Sequence, residues 1–261
     1  MDINSAKSER KGIGGVLENI IRQFQILAHI LLITPLYLLA SAFLGMAFIP
    51  GFWLFHQVES WTTGWSSLSR FWALGFSLAF GYFIYGFMLL VGAPLANFLM
   101  RARPKKWRGP YYSLPAVLWY IHNGWTYLVR FTFLEFVTPT PFNVWFYRLM
   151  GMKIGDGTII NSTHISDPGL IEMGRKVTVG GSVAIVGHYG QGGYLVLAPV
   201  KIGDKVTLGL RSIIMGGVEI GANAKILPGS VVLPKTKIPE GETWGGVPAR
   251  KLELSDLRAD N

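Results

Sequence analysis

The chain has 261 residues, of which 50% are hydrophobic, 15% charged and 13% aromatic. This balance is too apolar for a soluble core alone and points to a membrane protein that also carries a second module. The net charge is +9 and cysteine is absent, which excludes disulfides, cysteine-ligated zinc or iron-sulfur clusters and thiol nucleophiles.

Residues 1–22 are polar and mixed in charge, with Lys7, Arg10, Lys11 and Arg22, and no small-x-small cleavage site follows a short apolar core. They read as a cytoplasmic segment with an amphipathic helix around Ile13 to Ile21, not as a signal peptide. Residues 23–100 read as a transmembrane helical hairpin. In its first arm, Gln23 to Phe55, His29 is the one ionisable side chain besides Tyr37, and the arm is long enough to span even with a break near Pro35 or Pro50. Trp53, Trp61 and Trp65 stand where an interfacial belt would lie, about the loop His56 to Arg70. The second arm, Phe71 to Met100, carries Gly75, Gly81, Gly86 and Gly92, small residues that let helices approach in lipid.

Arg101, Arg103, Lys105, Lys106 and Arg108 follow that arm at once. The position favours a cytoplasmic membrane flank over a nucleic-acid surface and places both ends of the chain in the cytoplasm. Residues 101–150 read as a basic flank and helical connector. Within it, Leu114 to Val137 is apolar but interrupted by His122, Asn123, Gly124, Arg130 and Glu135, which are expensive inside a bilayer. The stretch is expected to lie on the cytoplasmic leaflet with Trp119, Trp125 and Tyr127 at the headgroups. The alternative is a third span, which would place the downstream domain outside. Pro139, Pro141 and Phe142 to Met150 complete the connector.

Residues 151–252 are periodic, and 253–261 form a tail. From Ile202 an aliphatic or aromatic residue returns at every sixth position: Leu208, Ile214, Ile220, Ile226, Val232, Ile238 and Trp244. Neither the 3.6 period of a helix nor plain strand alternation gives this. Six residues per strand and corner, three hexads to a turn, predict a parallel β-helix. Hexads also start at Ile154 and Ile160, and then slip in phase before Met173, Val179 and Ile185. Ile202 lies 17 residues after Ile185, one short of three hexads. The break falls in the glycine-rich stretch Gly187 to Tyr194, read as a loop leaving the regular coil, where function concentrates.

Five histidines occur. His29, His56 and His122 read as packing or headgroup contacts. His188 lies in the phase-breaking stretch, while His164 takes a fifth hexad position and either faces the interior or stacks on a neighbour. A histidine near neutral pKa accepts a proton from a hydroxyl or amine attacking a thioester and returns it to the leaving thiolate. The absence of cysteine and of a G-x-S-x-G elbow agrees with direct transfer. The glycines at 187, 190, 192 and 193 are candidate backbone donors to the oxyanion. Against this stands a plain surface role for His188. A catalytic zinc would need Asp167 or Glu172 beside His164 and His188, since three ligands are usual; no metal is expected. No phosphate-cradle motif is present. Arg211, Lys225, Arg250 and Lys251 are either coenzyme-phosphate contacts or solvated corner charges.

The run Pro199-Val-Lys-Ile-Gly-Asp-Lys-Val, the hexads to Pro234 and the closing Trp244-Gly-Gly-Val-Pro-Ala-Arg resemble the left-handed β-helix of the hexapeptide-repeat acyltransferase superfamily. In that group a histidine shortly before the P-V-x-I-G-D segment is the general base, and His188 matches its position. Tyr147-Arg-Leu-Met-Gly-Met-Lys-Ile-Gly, Ile165-Ser-Asp-Pro-Gly-Leu-Ile and the Gly187-His188 pair are similar to the membrane-associated transferase modules of poly-lysine-synthase-like peptide synthetases. Where an asparagine is usual in the coil before the histidine, this chain has Gly181-Ser182. The left hand of the coil is implied by the resemblance alone, as is a homotrimer with sites at subunit clefts.

The resulting expectation is N-terminal transmembrane α-helices followed by a left-handed parallel β-helix, a multi-pass protein of the inner (cytoplasmic) membrane with its β-helix in the cytoplasm. It would move an acyl, acetyl or aminoacyl group from an acyl-CoA or an acyl or aminoacyl carrier protein to a hydroxyl or amine of a lipid or lipid-linked saccharide. No permanently bound cofactor and no nucleic acid are expected. His188 is the expected base, Gly187 and Gly190 shape the oxyanion site, and Tyr189 and Gln191 position substrate. His164, Asp167, Asn161 and Arg211 are placed in the substrate or cofactor cleft, which Trp244 closes. The rival reading is a non-catalytic, membrane-anchored trimeric scaffold.

Overall fold

The computed structural model describes Ser8 and residues 11–253. The expectations for Lys7, Arg10, the rest of the extreme N-terminus, the side chain of His29 and the tail after Glu253 lie outside the described residues.

The first helix, α1, runs Ile13–Trp61 without interruption through Pro35 and Pro50. The expected surface helix and first span are therefore one helix, and neither proline ends it. A proline removes one ladder hydrogen bond, and a long helix of otherwise strong formers carries that loss. The second helix, α2, is Ser67–Leu99, and it begins where the Ser66 side chain accepts a hydrogen bond from the Ser69 amide, satisfying a donor that the first turn leaves free. Ile33–Trp61 and Ser67–Leu99 are each long and apolar enough to cross a membrane, with mean hydropathy of 1.9. Leu38, Phe52, Phe71, Phe76 and Phe80 face outward from them. The helices touch backbone to backbone: a Cβ on Gly51 would lie 3.1 Å from the Gly81 Cα. Gly86 and Gly92 make room for the rings of Phe133 and Phe43, whereas Gly75 faces open space.

A short strand, Trp107–Pro110, leads to α3, Leu114–Val129, which passes into a π-helical turn, Arg130–Leu134. The fourth helix, α4, is Pro141–Leu149; Thr140 caps it and Pro141 occupies its first turn, where the missing N–H costs nothing. The tryptophans of α3 face the protein interior and not outward as expected. Trp119 and Trp125 are buried, with Trp125 Nε1 3.3 Å from Met100 Sδ and the Tyr127 hydroxyl 2.8 Å from Ser166 Oγ. Trp125, Val129 and Phe133 share one apolar core with Leu89 of α2 and with Ile160 and Ile165 downstream. The helix thus binds the helical pair to the repeat domain, because its aromatic face gains more from that core than from a half-wet interface. His122 is a packing residue, as expected: it is fully buried, with Nδ1 3.1 Å from Asn97 Oδ1.

The repeats form three parallel sheets, and each successive strand passes to a different sheet. Ile202, Ile220 and Ile238 are consecutive partners in one of them, so one turn takes three hexads. The hexad positions Leu208, Ile214 and Val232 are fully buried, as are the fifth positions Val206, Ser212, Val218, Ala224 and Ser230. Two inward residues per hexad therefore fill the core. Lys176, Lys205, Arg211, Asn223 and Lys235 turn the corners with φ from 54 to 64°. At Gly209 a Cβ would stand 2.5 Å from the Pro228 backbone nitrogen of the next turn, which explains why the residue after an inward aliphatic is so often glycine. Thr243–Gly245 pairs antiparallel with Arg250–Lys251 and closes the far end.

Candidate active site

The phase break is a β-hairpin and not an irregular loop. His188–Gln191 pairs antiparallel with Tyr194–Leu197, and the short strand Trp107–Pro110 adds on the other edge, with Trp107 opposite Leu197. Gly192 and Gly193 join the two strands with φ of 54 and 75°, the positive values that fit a two-residue turn to the twist of a hairpin. The hairpin projects His188 toward α3.

There Asp167 organises the site. It lies in the preceding turn, fully buried, with a left-handed backbone (φ 61°) that ends the strand Ile165–Ser166 and starts the short 3-10 turn Pro168–Leu170. Its Oδ2 is 2.6 Å from His188 Nδ1 and accepts the Gly187 amide at 2.9 Å. Its Oδ1 accepts Trp119 Nε1 at 2.6 Å and Asn123 Nδ2 at 2.7 Å, and the Asn123 side-chain oxygen accepts the Asp167 amide at 3.1 Å. Burial works to raise the carboxyl pKa, but the hydrogen bond and charge of His188, with the bonds from Asn123 and Trp119, hold it below its usual value. The group is a buried carboxylate whose lone pairs are met by directed donors. The indole of Trp119 also meets the His188 ring edge-on, with centroids 4.9 Å apart.

Gly187 holds this arrangement together differently from its expected part in the oxyanion site. Its N–H is committed to Asp167, so it is no free donor. A Cβ there would lie 2.9 Å from the Leu170 Cβ and 3.1 Å from the Asp167 Cβ, so a side chain would push the carboxylate off the amide. Gly190 and Gln191 are exposed on the outer part of the hairpin. Tyr189 alternates to the opposite face and packs in a small buried cluster with Val196 and Ala198, so it does not border His188.

The other expected cleft residues are elsewhere in the single chain. His164 is exposed, and its pKa is lowered by partial burial and by Arg130, against a smaller opposing effect of Glu135. Asn161 is exposed beside Gly181, and Arg211 is an exposed corner. Trp244 pairs with Ile226 in the last turn, and its Nε1 bonds Glu242 at 2.8 Å. It therefore does not close a cleft over His188 within one chain. Among the described residues no three His, Asp or Glu side chains gather as a metal would require. Trp119 and Asn123, two of the four donors to Asp167, were assigned no part in the site by sequence reasoning. One usable signal was their spacing, four apart on one helix face.

A cavity of about 520 Å³ opens at His188. Its walls come from α1 (Leu36, Ala40), α3 (Tyr120, Asn123, Gly124, Tyr127) and the π-helical turn, and they are mostly apolar. On the other side of α3 lies a second hollow of about 810 Å³, lined by Arg101, Arg103, Lys105, Lys106 and Trp107 with Leu114 and Leu118. The histidine thus borders a mostly apolar chamber, with a basic one on the other side of the helix.

Residues 199–234 match the family described as bacterial transferase hexapeptide (six repeats). The chain is 29% identical over 147 residues to the putative acetyltransferase YvoF of Bacillus subtilis, covering 51% of this chain and 82% of that protein. It is 27% identical over 114 residues to the delta-poly-L-ornithine synthetase of Acinetobacter baumannii, which is 44% of this chain but 9% of the synthetase. Gamma carbonic anhydrase 2 of Arabidopsis thaliana matches at 33% over 110 residues, 41% of this chain and 35% of that protein. The chain thus spans under a tenth of the synthetase and about a third of the anhydrase. The family match over residues 199–234 and the similarity to a putative acetyltransferase support the hexapeptide-repeat acyltransferase superfamily.

Proposed function

We propose that the chain is a membrane-anchored acyltransferase that moves an acyl group, acetyl or aminoacyl among the candidates, from a thioester of coenzyme A or a carrier protein to a hydroxyl or amine of a lipid or lipid-linked saccharide. The observation that carries this reading is the bond between buried Asp167 and His188 Nδ1. An ionised carboxylate on Nδ1 fixes the proton of the neutral ring there and leaves Nε2 as the base. The acceptor oxygen or nitrogen bonds to the thioester carbonyl carbon while its proton passes to Nε2, and the carbonyl π pair moves onto oxygen. Collapse re-forms the carbonyl and breaks the C–S bond, and the proton on Nε2 passes to the departing thiolate. The products are an ester or amide and a free thiol.

The names of the acetyltransferase and ornithine synthetase relatives support acyl or aminoacyl transfer. Outward apolar side chains on α1 and α2 support two spans, and the basic run from Arg101 to Arg108 supports a coil on the cytoplasmic side of the inner membrane. The coil exposes Leu210, Ile213 and Leu233, apolar surface in keeping with the homotrimer that the superfamily resemblance implies. Glycan and lipid extracts incubated with the purified protein and a panel of thioesters test the reading. A mass gain equal to the acyl group, found only with active protein, is expected. A panel that yields neither modified acceptor nor free thiol contradicts it.

A further inference from the structure

We infer that the hydrocarbon tail of the acceptor lies in the cavity between α1 and α3, entering from the bilayer, so that the chain's own helices complete the acceptor half of the site. This rests on the acyltransferase reading above and adds where and how the lipid is held. His188, Asn123 and Thr132 supply polarity, and the remaining walls are mostly apolar or aromatic. Leu36 and Ala40 stand one turn apart on the same side of α1. Opposite them Gly124 keeps α3 low: a Cβ there would already touch the Leu36 methyl at 3.6 Å. Two small residues, Ala40 and Gly124, thus keep the slot open where a larger pair would fill it.

Charge separates the two substrates. At about 100° per residue, Leu114 and Leu118 lie on the opposite side of α3 from Tyr120, Asn123, Gly124 and Tyr127. The former border the basic hollow and the latter the apolar slot. A donor carrying phosphates suits the hollow with its Arg and Lys side chains, and would leave its charges unmet in the slot. The slot also opens beside outward-facing Tyr37 of α1, within the apolar stretch of a proposed span, so a tail reaches it without crossing water. The occupant we assign is therefore the lipid acceptor and not the acyl chain of the donor.

The test uses the full chain in nanodiscs containing phosphatidylethanolamine with a diazirine in its acyl chain, and maps photolabelled peptides by mass spectrometry. Label is expected on buried Trp119 and Asn123, positions that annular lipid does not reach, and on the His188 side chain that borders the slot. Gly124→Phe and, independently, Ala40→Phe should lose that inner label, while label on the outward faces of α1 and α2 persists as evidence of insertion. His188→Ala should keep it, which separates a failure of the slot from a failure of the proposed chemistry. Label confined to outward faces in the parent protein overturns the inference. So does inner labelling by diazirine-bearing palmitoyl-CoA in place of the phospholipid.

Discussion

Trp119 of α3 donates its indole N–H to the buried carboxylate of Asp167 at 2.6 Å, across a separation of 48 residues. Through this bond the helical module grips the carboxylate that holds His188 in the repeat module. Replacing Asp167 by Asn should lower transfer roughly 10²- to 10⁴-fold, because an amide no longer fixes the histidine tautomer. Trp119→Phe should keep the ring contact to His188 and lower turnover by roughly tenfold, the scale of a lost supporting bond. Since one of the bonds that depress the Asp167 pKa is then missing, the stability that Asp167 contributes above its folded pKa should shrink, and the lower window of a Tm-versus-pH curve should narrow. An unchanged pH profile would assign Trp119 to packing alone.

Gly187→Ala should injure the site more than the fold. The added methyl presses on the Asp167 and Leu170 side chains, and steric insertion of this kind costs about 1–3 kcal/mol. The expected result is a small drop in Tm with a large drop in turnover, measured on the same preparation. Equal activity would show that the Gly187 amide is dispensable to the carboxylate.

Acid sensitivity should come in two windows. Burial lowers the His122 pKa from 6.5 to about 4, against smaller opposing effects of Asp167 and the Ala102 backbone. Between those values the unfolded chain binds a proton that the folded chain refuses, so stability falls as pH drops from 6.5 to about 4, by roughly 3 kcal/mol at most. Asp167 acts lower: its depressed pKa contributes stability that is present above its unfolded value of 3.8 and is lost as pH falls through the folded one. His122→Gln should flatten the upper window of a Tm-versus-pH curve and leave the lower one.

Gly209→Ala tests the coil itself. Its Cβ would meet backbone of the next turn at 2.5 Å, and backbone yields less readily than a side-chain tip. A loss of about 1–3 kcal/mol is expected, read as a lower Tm. A parental Tm would mean the turns are not stacked as described.

The coil was legible because its signal is local and repeated: Ile202 to Ile238 names the buried column outright. The hairpin carried a readable mark too, the Gly192-Gly193 pair between Gln191 and Tyr194, but its glycines suggested a loose loop. Register sets Asp167 beside Gly187, since Ser166 pairs with Val186 in adjacent turns, and His188 is the next residue along the chain. Trp119 and Asn123 were not legible as part of the site. Their contact with Asp167 spans more than 40 residues and depends on how α3 docks, which no period records. The aromatic residues of α3 read as an interfacial belt because the same composition serves a headgroup layer and a buried seam.

The central claim is that His188, oriented by Asp167, takes the acceptor proton. Its most direct measurement is the rate of free thiol release from acetyl-CoA, coupled to acetylated product, for the parent protein and His188→Ala in matched nanodiscs. Parental Tm and particle size with a loss of roughly 10²- to 10⁴-fold in the coupled rate is the predicted result. A variant that transfers acetyl at the parental rate would contradict it. A parent protein with no transferase activity, whose cellular role survives the substitution, would point to the scaffold reading.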